Sequence, residues 1–214
     1  MKRIAIIGAG GFGREVKVLI DDINKAKPIY DLIGFFDDGI EKGTLINGLP
    51  VLGTIAAINK IDYNLKLALG VSAPEIKEKT IQIIENNYID FPTLIHPSAI
   101  ISNDEVFLGK GTIICAGNII TCNIIVKDFV TLNLSCTVGH DTIIKDFSSF
   151  MPAVNISGEV VIEKNVYVGT GAKIINQLSI GAHTIVGAGA VVSKVLPANC
   201  TAVGIPAKPI KFHS

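Results

Sequence analysis

A six-residue repeat fills the second half of the chain and constrains its fold more than any other feature. Every sixth position holds an aliphatic residue, or once a phenylalanine, over fifteen consecutive hexads without a change of register. These positions are Leu108, Ile114, Ile120, Val126, Leu132, Val138, Ile144, Phe150, Ile156, Ile162, Val168, Ile174, Ile180, Val186 and Val192. A period of six fits neither an α-helix nor a simple strand. It is typical of a parallel β-helix, in which three hexads close one triangular coil.

A second hexad position, four places after the first, is mostly small or β-branched. Its members include Thr112, Asn118, Val130, Cys136, Thr142, Ser148, Val154, Val160, Val166, Ala172, Thr184 and Ala190. We expect the first position to point into the coil from the middle of each face. The second position should fit the tight turn between two faces.

The composition raises the question of a membrane protein, because 49% of the residues are hydrophobic, 18% are charged and the mean hydropathy is +0.49. The longest uncharged run, residues 174–193, is as long as a membrane helix. Asn176, Gln177, His183 and several glycines interrupt it, so we assign the apolar excess to the inward column of the coil. The amino terminus lacks the apolar centre of a signal peptide. We therefore expect a cytoplasmic protein without membrane insertion.

The charged side chains argue against a nucleic-acid partner, and their density differs between the two parts of the chain. Lysine and arginine together number 19 and so do aspartate and glutamate, and a net charge of zero argues against a nucleic-acid partner. Residues 1–94 contain 23 of these charged side chains, whereas residues 95–214 contain 15. Since the density changes where the hexads begin, we expect two domains, 1–94 and 95–214.

The first domain alternates short apolar runs with helical periodicity. The runs cover residues 3–8, 32–36, 49–53 and 65–70. One helix face, at the i, i+3, i+4, i+7 spacing, consists of Val16, Leu19, Ile20 and Ile23. Ser72 and Glu75 match a capping box for a second helix. The predicted inner face of that helix consists of Ile76, Thr80, Ile83 and Ile84. This alternation predicts an α/β domain with a parallel sheet.

A glycine motif, GxGxxG, joins the first strand to the first helix at Gly8, Gly10 and Gly13. Taken alone it indicates dinucleotide binding, because such a loop brings phosphates to a helix N-terminus. The domain is short for a complete dinucleotide-binding fold, so we describe it as Rossmann-like. The groups expected together at the carboxyl ends of its strands are Gly10, Gly11, Phe12, Asp37, Asp38, Gly70 and Ser72.

The whole chain resembles the hexapeptide-repeat acyltransferases. Closer still are the bacterial sugar acetyltransferases with a small α/β domain before a left-handed β-helix, which include N-acetyltransferases of nucleotide-linked 4-amino sugars and sialic acid O-acetyltransferases. The segments that carry the resemblance are GAGGFGREV, GFFDD, LPVLGT, LIHPSAIIS, NLSCTVGHDTIIKDF and VGAGAVVSKVLPANCTAVGIPAKPIK. The resemblance implies an acetyl-CoA-dependent enzyme of surface-glycan biosynthesis. It also implies a homotrimer with active sites between neighbouring β-helices and a nucleotide-linked amino sugar held by the first domain.

His140 is the catalytic candidate, because acyl transfer needs a base and imidazole titrates near the working pH. The resemblance gives Asp141 the task of orienting it, and gives Asn133 a contact with the substrate or with the histidine. Positions 18 residues apart stack on successive coils, so we expect Gly158 beside His140. Its backbone N–H is then a candidate donor to the oxyanion of a tetrahedral intermediate.

The resemblance also implies a donor site. It places Thr170 and Ala188 along the pantetheine arm of the coenzyme, and Lys208 near a phosphate. At Ser149 many relatives have a second histidine that contacts the acetyl donor, and at Phe12 many also have histidine. These two departures leave the donor contacts at one corner, and the identity of the nucleotide, open.

Other functions stay open at this point. Within the enzyme class the alternative is O-acetylation of a sialic acid or related sugar, and outside it a nucleotide-sensing β-helix scaffold without catalysis. We expect no metal, because His96, His140 and His183 lie 44 and 43 residues apart, without close pairing. The four cysteines match no metal or disulfide pattern, and we assign them no role.

Overall fold

A computed structural model of the chain describes residues 1–213. It divides into two compact units, Met1–Pro97 and a second unit that starts at Ser98. The division lies three residues beyond the predicted one. Among the described residues, no helix is long and apolar enough to cross a membrane.

The first unit contains a six-stranded sheet of order β3-β4-β2-β1-β5-β6, in which only the β3–β4 pair is antiparallel. Its strands are β1 (Lys2–Ile7), β2 (Tyr30–Phe36), β3 (Leu45–Ile46), β4 (Leu49–Gly53), β5 (Leu65–Leu69) and β6 (Ile89–Asp90). The four predicted apolar runs are β1, β2, β4 and β5. A further short strand, β7 (Leu94–Ile95), ends the unit.

Two α-helices and one 3-10 helix accompany this sheet, at α1 (Gly11–Ala26), Ile55–Lys60 and α2 (Pro74–Ile83). The predicted face of α1 is confirmed, since its four apolar residues are buried. The prediction for α2 is wrong in two respects. Its N-cap is Ala73, without a side-chain cap, so Ser72 and Glu75 form no capping box. Of the predicted inner face, Thr80 is buried, but Ile76 and Ile83 are half-exposed. Lys77, which was not predicted there, is buried as well.

The second unit is a left-handed parallel β-helix with three faces. Face 1 consists of β10 (Ile113–Ile114), β13 (Thr131–Leu132), β16 (Ser149–Phe150), β19 (Tyr167–Val168), β22 (Ile185–Val186), β24 (Cys200–Val203) and β25 (Lys208–Phe212). Face 2 consists of β8 (Ile100–Ile101), β11 (Ile119–Ile120), β14 (Thr137–Val138), β17 (Asn155–Ile156), β20 (Lys173–Ile174) and β23 (Val191–Val192). Face 3 consists of β9 (Val106–Leu108), β12 (Ile124–Val126), β15 (Ile143–Ile144), β18 (Val161–Ile162) and β21 (Ser179–Ile180).

Strand pairing confirms the 18-residue coil, because paired residues such as Thr131 and Ser149 differ by 18 in number. The inward column is confirmed as well: from Ile114 to Val192 its members are at most 2% exposed. The small residues of the second hexad position are also buried, one place after the turn. The turn itself holds a residue with positive φ at every sixth position from Glu105 to Gly189, and only four of these fifteen are glycines.

Candidate active site

His140 and Asp141 stand at the corner between face 2 and face 3, just after β14. The Nδ1 atom of His140 lies 2.7 Å from Oδ2 of Asp141. Because a carboxylate only accepts hydrogen bonds, Nδ1 must be the protonated nitrogen. In the neutral imidazole the other nitrogen, Nε2, then has a free lone pair, and the side chain of His140 is 56% exposed. This tautomer is the one that a general base needs.

Asn123 is a neighbour of this pair that the sequence analysis missed. It occupies the position of Asp141 in the preceding coil, and its Nδ2 donates to Oδ1 of Asp141 at 3.1 Å. The hydrogen bond from His140, and next the one from Asn123, hold the pKa of Asp141 below its ordinary value. The spacing of 18 residues between Asn123 and Asp141 is the signal that identifies it.

Gly158 lies beside His140 in the following coil, as the spacing predicts. A Cβ atom added to Gly158 would lie 2.5 Å from both Cε1 and Nε2 of the imidazole. The ring therefore lies directly over a residue that has no side chain. Within one chain, His140, Asp141, Asn123 and Gly158 form a single cluster, which we call the histidine corner.

A different corner, between face 1 and face 2, holds Asn133, Thr170 and Ala188. Thr170 and Ala188 are exposed and stack on successive coils, with the N–H of Gly189 donating to the carbonyl of Thr170 at 2.8 Å. Asn133 is 5% exposed, and its Oδ1 accepts from the N–H of Leu134 at 2.7 Å. We call it the donor corner, because the resemblance places the coenzyme there. About six residues of extended chain, roughly 20 Å, separate it from the histidine corner in one coil. One chain therefore does not bring Asn133 to His140.

The glycine loop of the first unit joins β1 to α1 and leaves its N-terminal turn open. Around Gly10 and Gly11 no heavy atom lies within 4 Å of an added Cβ. Neither the N-cap nor the first turn of α1 supplies an acidic or capping side chain. Because the first N–H groups of a helix have no partner inside it, such an end is suited to bind an anion.

Asp37 and Asp38 accept hydrogen bonds from backbone N–H groups, one of which belongs to the glycine loop. The Oδ2 of Asp37 accepts from the N–H of Ala9 at 2.8 Å, and its Oδ1 accepts from Gly39 at 2.8 Å. The Oδ1 of Asp38 accepts from the N–H of Ile55 at 2.8 Å. Asp37 thus fixes the glycine loop, a contact that the sequence analysis did not assign to it.

Comparison with known proteins identifies the architecture. The family described as PglD N-terminal domain matches residues 3–84, and the bacterial transferase hexapeptide family matches residues 159–194. The GDP-perosamine N-acetyltransferase of Escherichia coli O157:H7 is 32% identical over 217 residues, which cover 99% of this chain and 97% of that protein. The chain belongs to the PglD-type hexapeptide-repeat acetyltransferases. It is an enzyme, as the resemblance predicted.

Two solved structures of relatives match this acetyltransferase over almost its full length. PerB from Caulobacter crescentus, in complex with CoA and GDP-perosamine, has a TM-score of 0.87 and 29% identity, and the match covers 99% of this chain and 98% of PerB. The acetyltransferase domain of PglB from Neisseria gonorrhoeae, in complex with acetyl coenzyme A, has a TM-score of 0.85 and 30% identity, with 98% and 99% coverage.

The remaining predicted residues differ in how accessible they are. In this acetyltransferase Ser149 is fully buried, and its Oγ is an atom without a hydrogen-bond partner among the described residues. Gly70 is buried too, since an added Cβ would lie 2.6 Å from Cα of Gly13. Phe12 and Ser72 are partly exposed. Asp38 also lines a cavity of about 530 Å³ together with Leu52 and Ala57.

Lys208, at the start of β25, is exposed in a stretch that has one sign of charge. Residues 164–214 contain five lysines and no aspartate or glutamate. This stretch therefore contributes no acidic side chain that would repel a polyanionic ligand. No group of three or more His, Cys, Asp and Glu side chains among residues 1–213 is placed to hold a metal ion.

Gly158 provides the first prediction. In Gly158→Ala the new methyl displaces the imidazole, because the side chain of His140 is the nearest neighbour and can move. A displacement of about 1 Å should lower kcat about 100-fold, with the melting temperature close to that of the wild type. In Gly139→Ala the new methyl meets the backbone nitrogen of Gly158 at 2.6 Å. The melting temperature of that control should fall. An equal fall in both variants would contradict the placement of a movable imidazole over Gly158.

Proposed function

We propose that this acetyltransferase moves the acetyl group of acetyl-CoA to the amino group of a nucleotide-linked amino sugar of the 4-amino-dideoxy class. The amine nitrogen attacks the thioester carbonyl, and Nε2 of His140 takes the proton that the nitrogen loses. The carbon–sulfur bond then breaks, and CoA leaves as a thiol after it receives that proton. The observation that carries this proposal is the His140–Asp141 pair, whose geometry leaves Nε2 free to accept.

Gly158 has a supporting role in this proposal. The attack on the carbonyl places a negative charge on its oxygen, and a fixed backbone N–H close to the base stabilises such an oxyanion. The N–H of Gly158 lies in the residue under the imidazole, with no side chain to shield it. We assign it as the oxyanion donor.

The donor would bind at the donor corner, with its pantetheine arm along Thr170 and Ala188 and a phosphate near Lys208. The exposed ammonium group of Lys208 supports an anionic ligand near the end of the β-helix. The relatives solved with CoA and with acetyl coenzyme A support the identity of that ligand. Ser149 stays a candidate donor contact, although its burial places it behind the surface of a single chain.

The separation of the two corners supports the homotrimer that the resemblance implies. The histidine corner of one protomer meets an acetyl group only if the donor corner of a neighbouring protomer comes beside it. In the coil before His140, exposed apolar side chains stand on both faces that meet at this corner: Ile119 on face 2 is 42% exposed and Ile125 on face 3 is 37% exposed. Exposed apolar residues of this kind are typical of an interface. We propose that three protomers pack through these faces, and that Asn133 meets the substrate from the neighbouring chain.

The first unit would hold the nucleotide, with phosphates at the N–H groups of Gly11 and Phe12. The relatives named for GDP-perosamine support a nucleotide-linked acceptor. Gly10, Asp37, Asp38, Gly70 and Ser72 would line or support this cleft. Such acceptors are precursors of bacterial surface glycans, which is the biological role that we propose.

An acceptor screen tests the reaction. Purified protein with acetyl-CoA is given GDP-perosamine, a UDP-linked 4-amino sugar, a dTDP-linked 4-amino sugar or free sialic acid, and thiol release is measured. We expect turnover with one nucleotide-linked amino sugar, and mass spectrometry should find one acetyl group on its nitrogen. Turnover with sialic acid alone would replace the proposal by O-acetylation. Acetyl-CoA binding without turnover of any acceptor would favour a scaffold.

A further inference from the structure

A ladder of four side chains runs along the histidine corner, and it is not symmetric around His140. In four successive coils the left-handed turn position holds Asn123, Asp141, Glu159 and Gln177, with φ between 56° and 60°. The Nδ2 of Asn123 donates to Asp141 at 3.1 Å, and the Nε2 of Gln177 donates to Glu159 at 3.1 Å. Asp141 is therefore bonded to an amide in the preceding coil, and Glu159 is bonded to an amide in the following coil.

The two halves of this ladder differ in one respect. Asp141 is bonded to His140, whereas Glu159 follows Gly158, which has no side chain to orient. The carboxylate of Asp141 thus has both oxygens engaged, Oδ2 by the imidazole and Oδ1 by Asn123. An exposed carboxylate held at one oxygen alone is free to rotate away from the ring.

We propose that Asn123 is a positioning residue for the acetyl transfer, which fixes the carboxylate of Asp141 so that it holds the imidazole of His140 in the reactive tautomer. This inference rests on the proposed function, because it assumes that His140 is the base. The other ionisable side chains at this corner in the adjacent coils are Cys122 before His140 and Glu159 after it. Glu159 accepts a hydrogen bond from Gln177. The groups that orient the imidazole are therefore Asp141, by direct contact, and Asn123, through Asp141.

Three variants separate positioning from a merely structural role. Asn123→Gly removes the amide and keeps a residue that accepts positive φ without strain. Asn123→Asp replaces the donor by a carboxylate, which repels Asp141 and adds negative charge near His140. Gln177→Gly removes the matching hydrogen bond from Glu159 and serves as the control, because it has the same backbone conformation and the same donor distance.

The readout is the titration of the His140 ring by NMR, which needs no acceptor, with the signal assigned by its loss in His140→Ala. A loosened Asp141 stabilises the imidazolium less, so Asn123→Gly should move the titration midpoint to lower pH. Asn123→Asp should move it to higher pH, because a nearby negative charge favours the charged ring. Gln177→Gly frees Glu159 but removes no contact of Asp141, so any shift of the midpoint should be small and toward higher pH, opposite to that of Asn123→Gly.

Turnover provides the second readout. With the acceptor found in the screen, Asn123→Gly should lower kcat about tenfold, as the loss of an outer hydrogen bond does at other sites, while Gln177→Gly should keep the wild-type kcat. Wild-type midpoint and kcat in Asn123→Gly would overturn the inference. Full turnover in His140→Ala would instead overturn the proposed function. The two failures are therefore distinguishable.

Discussion

His140→Ala should lower kcat about 1,000-fold, the loss expected when a positioned general base is removed. The imidazole makes its one hydrogen bond to Asp141 and has its side chain 56% exposed, so its loss leaves no cavity in the core. The melting temperature should therefore stay close to that of the wild type. Thiol release from acetyl-CoA in the presence of the acceptor measures kcat. Full turnover would show that the base is elsewhere.

A control histidine and a mixing experiment sharpen this result. His183 also stands at a turn of the β-helix, in the left-handed conformation that asparagine tolerates, so His183→Asn should keep its activity. Ala188→Trp should block the exposed donor corner and inactivate the enzyme by a different route. If the active site combines corners of two chains, co-expression of His140→Ala with Ala188→Trp should restore turnover that neither variant has alone. No recovery in verified mixed trimers would place both corners in one chain.

The β-helix is the part of the structure that the sequence determines most directly. Each inward side chain repeats a local rule, and stacking forces the same rule on every coil, so the register can be read at Ile114 as well as at Val192. The left-handed turn residues were not predicted from residue type, because bulky residues such as Phe129 and Glu159 occupy them. The stacked hydrogen bonds of the coil impose that conformation, which an isolated residue of these types rarely adopts.

Helix α2 shows where local pattern fails. Its isoleucines at Ile76 and Ile83 match a helical stripe and yet are half-exposed, whereas Lys77 is fully buried. Burial holds the pKa of Lys77 well below its ordinary value. A lysine has a long apolar stem that packs well in a core, and a ten-residue helix gives too few turns for its periodicity to identify the inner face.

Part of the geometry of the candidate site was predicted, because the coils place residues 18 apart side by side. The stacking of His140 on Gly158 follows from the coil length, and Asn123 could have been found by the identical arithmetic from Asp141. The separation of the two corners also follows from the hexads, since Thr170 and His140 fall at different turns of the triangle. Whether a second chain completes the site, as we propose, depends on packing between protomers, about which the hexad pattern contains no information.

Gly13→Ala should have the largest effect on stability. An added Cβ would overlap the carbonyl oxygen of Gly8, which is backbone and cannot rotate away. Strand β1 and helix α1 must then move apart, and we expect the first unit to lose about 3 kcal/mol of unfolding free energy. Urea unfolding followed by circular dichroism should show an earlier transition of that unit, while the β-helix keeps its own.

Gly11→Ala is the matched variant, because it lies two residues away and its added Cβ meets no heavy atom within 4 Å. Alanine restricts the unfolded chain, so stability should stay equal or rise by about 0.5 kcal/mol. If phosphates bind at the N-terminus of α1, the methyl group occupies their approach. The nucleoside diphosphate of the acceptor found in the screen should then raise the melting temperature of the wild type but not of Gly11→Ala. Equal protection of both proteins would place the nucleotide elsewhere. Gly13 is thus needed for close packing of the loop, because it lies against the backbone of Gly8. Gly11 faces the open side and would be needed only for the approach of the phosphates. These two experiments separate the two roles within one glycine motif.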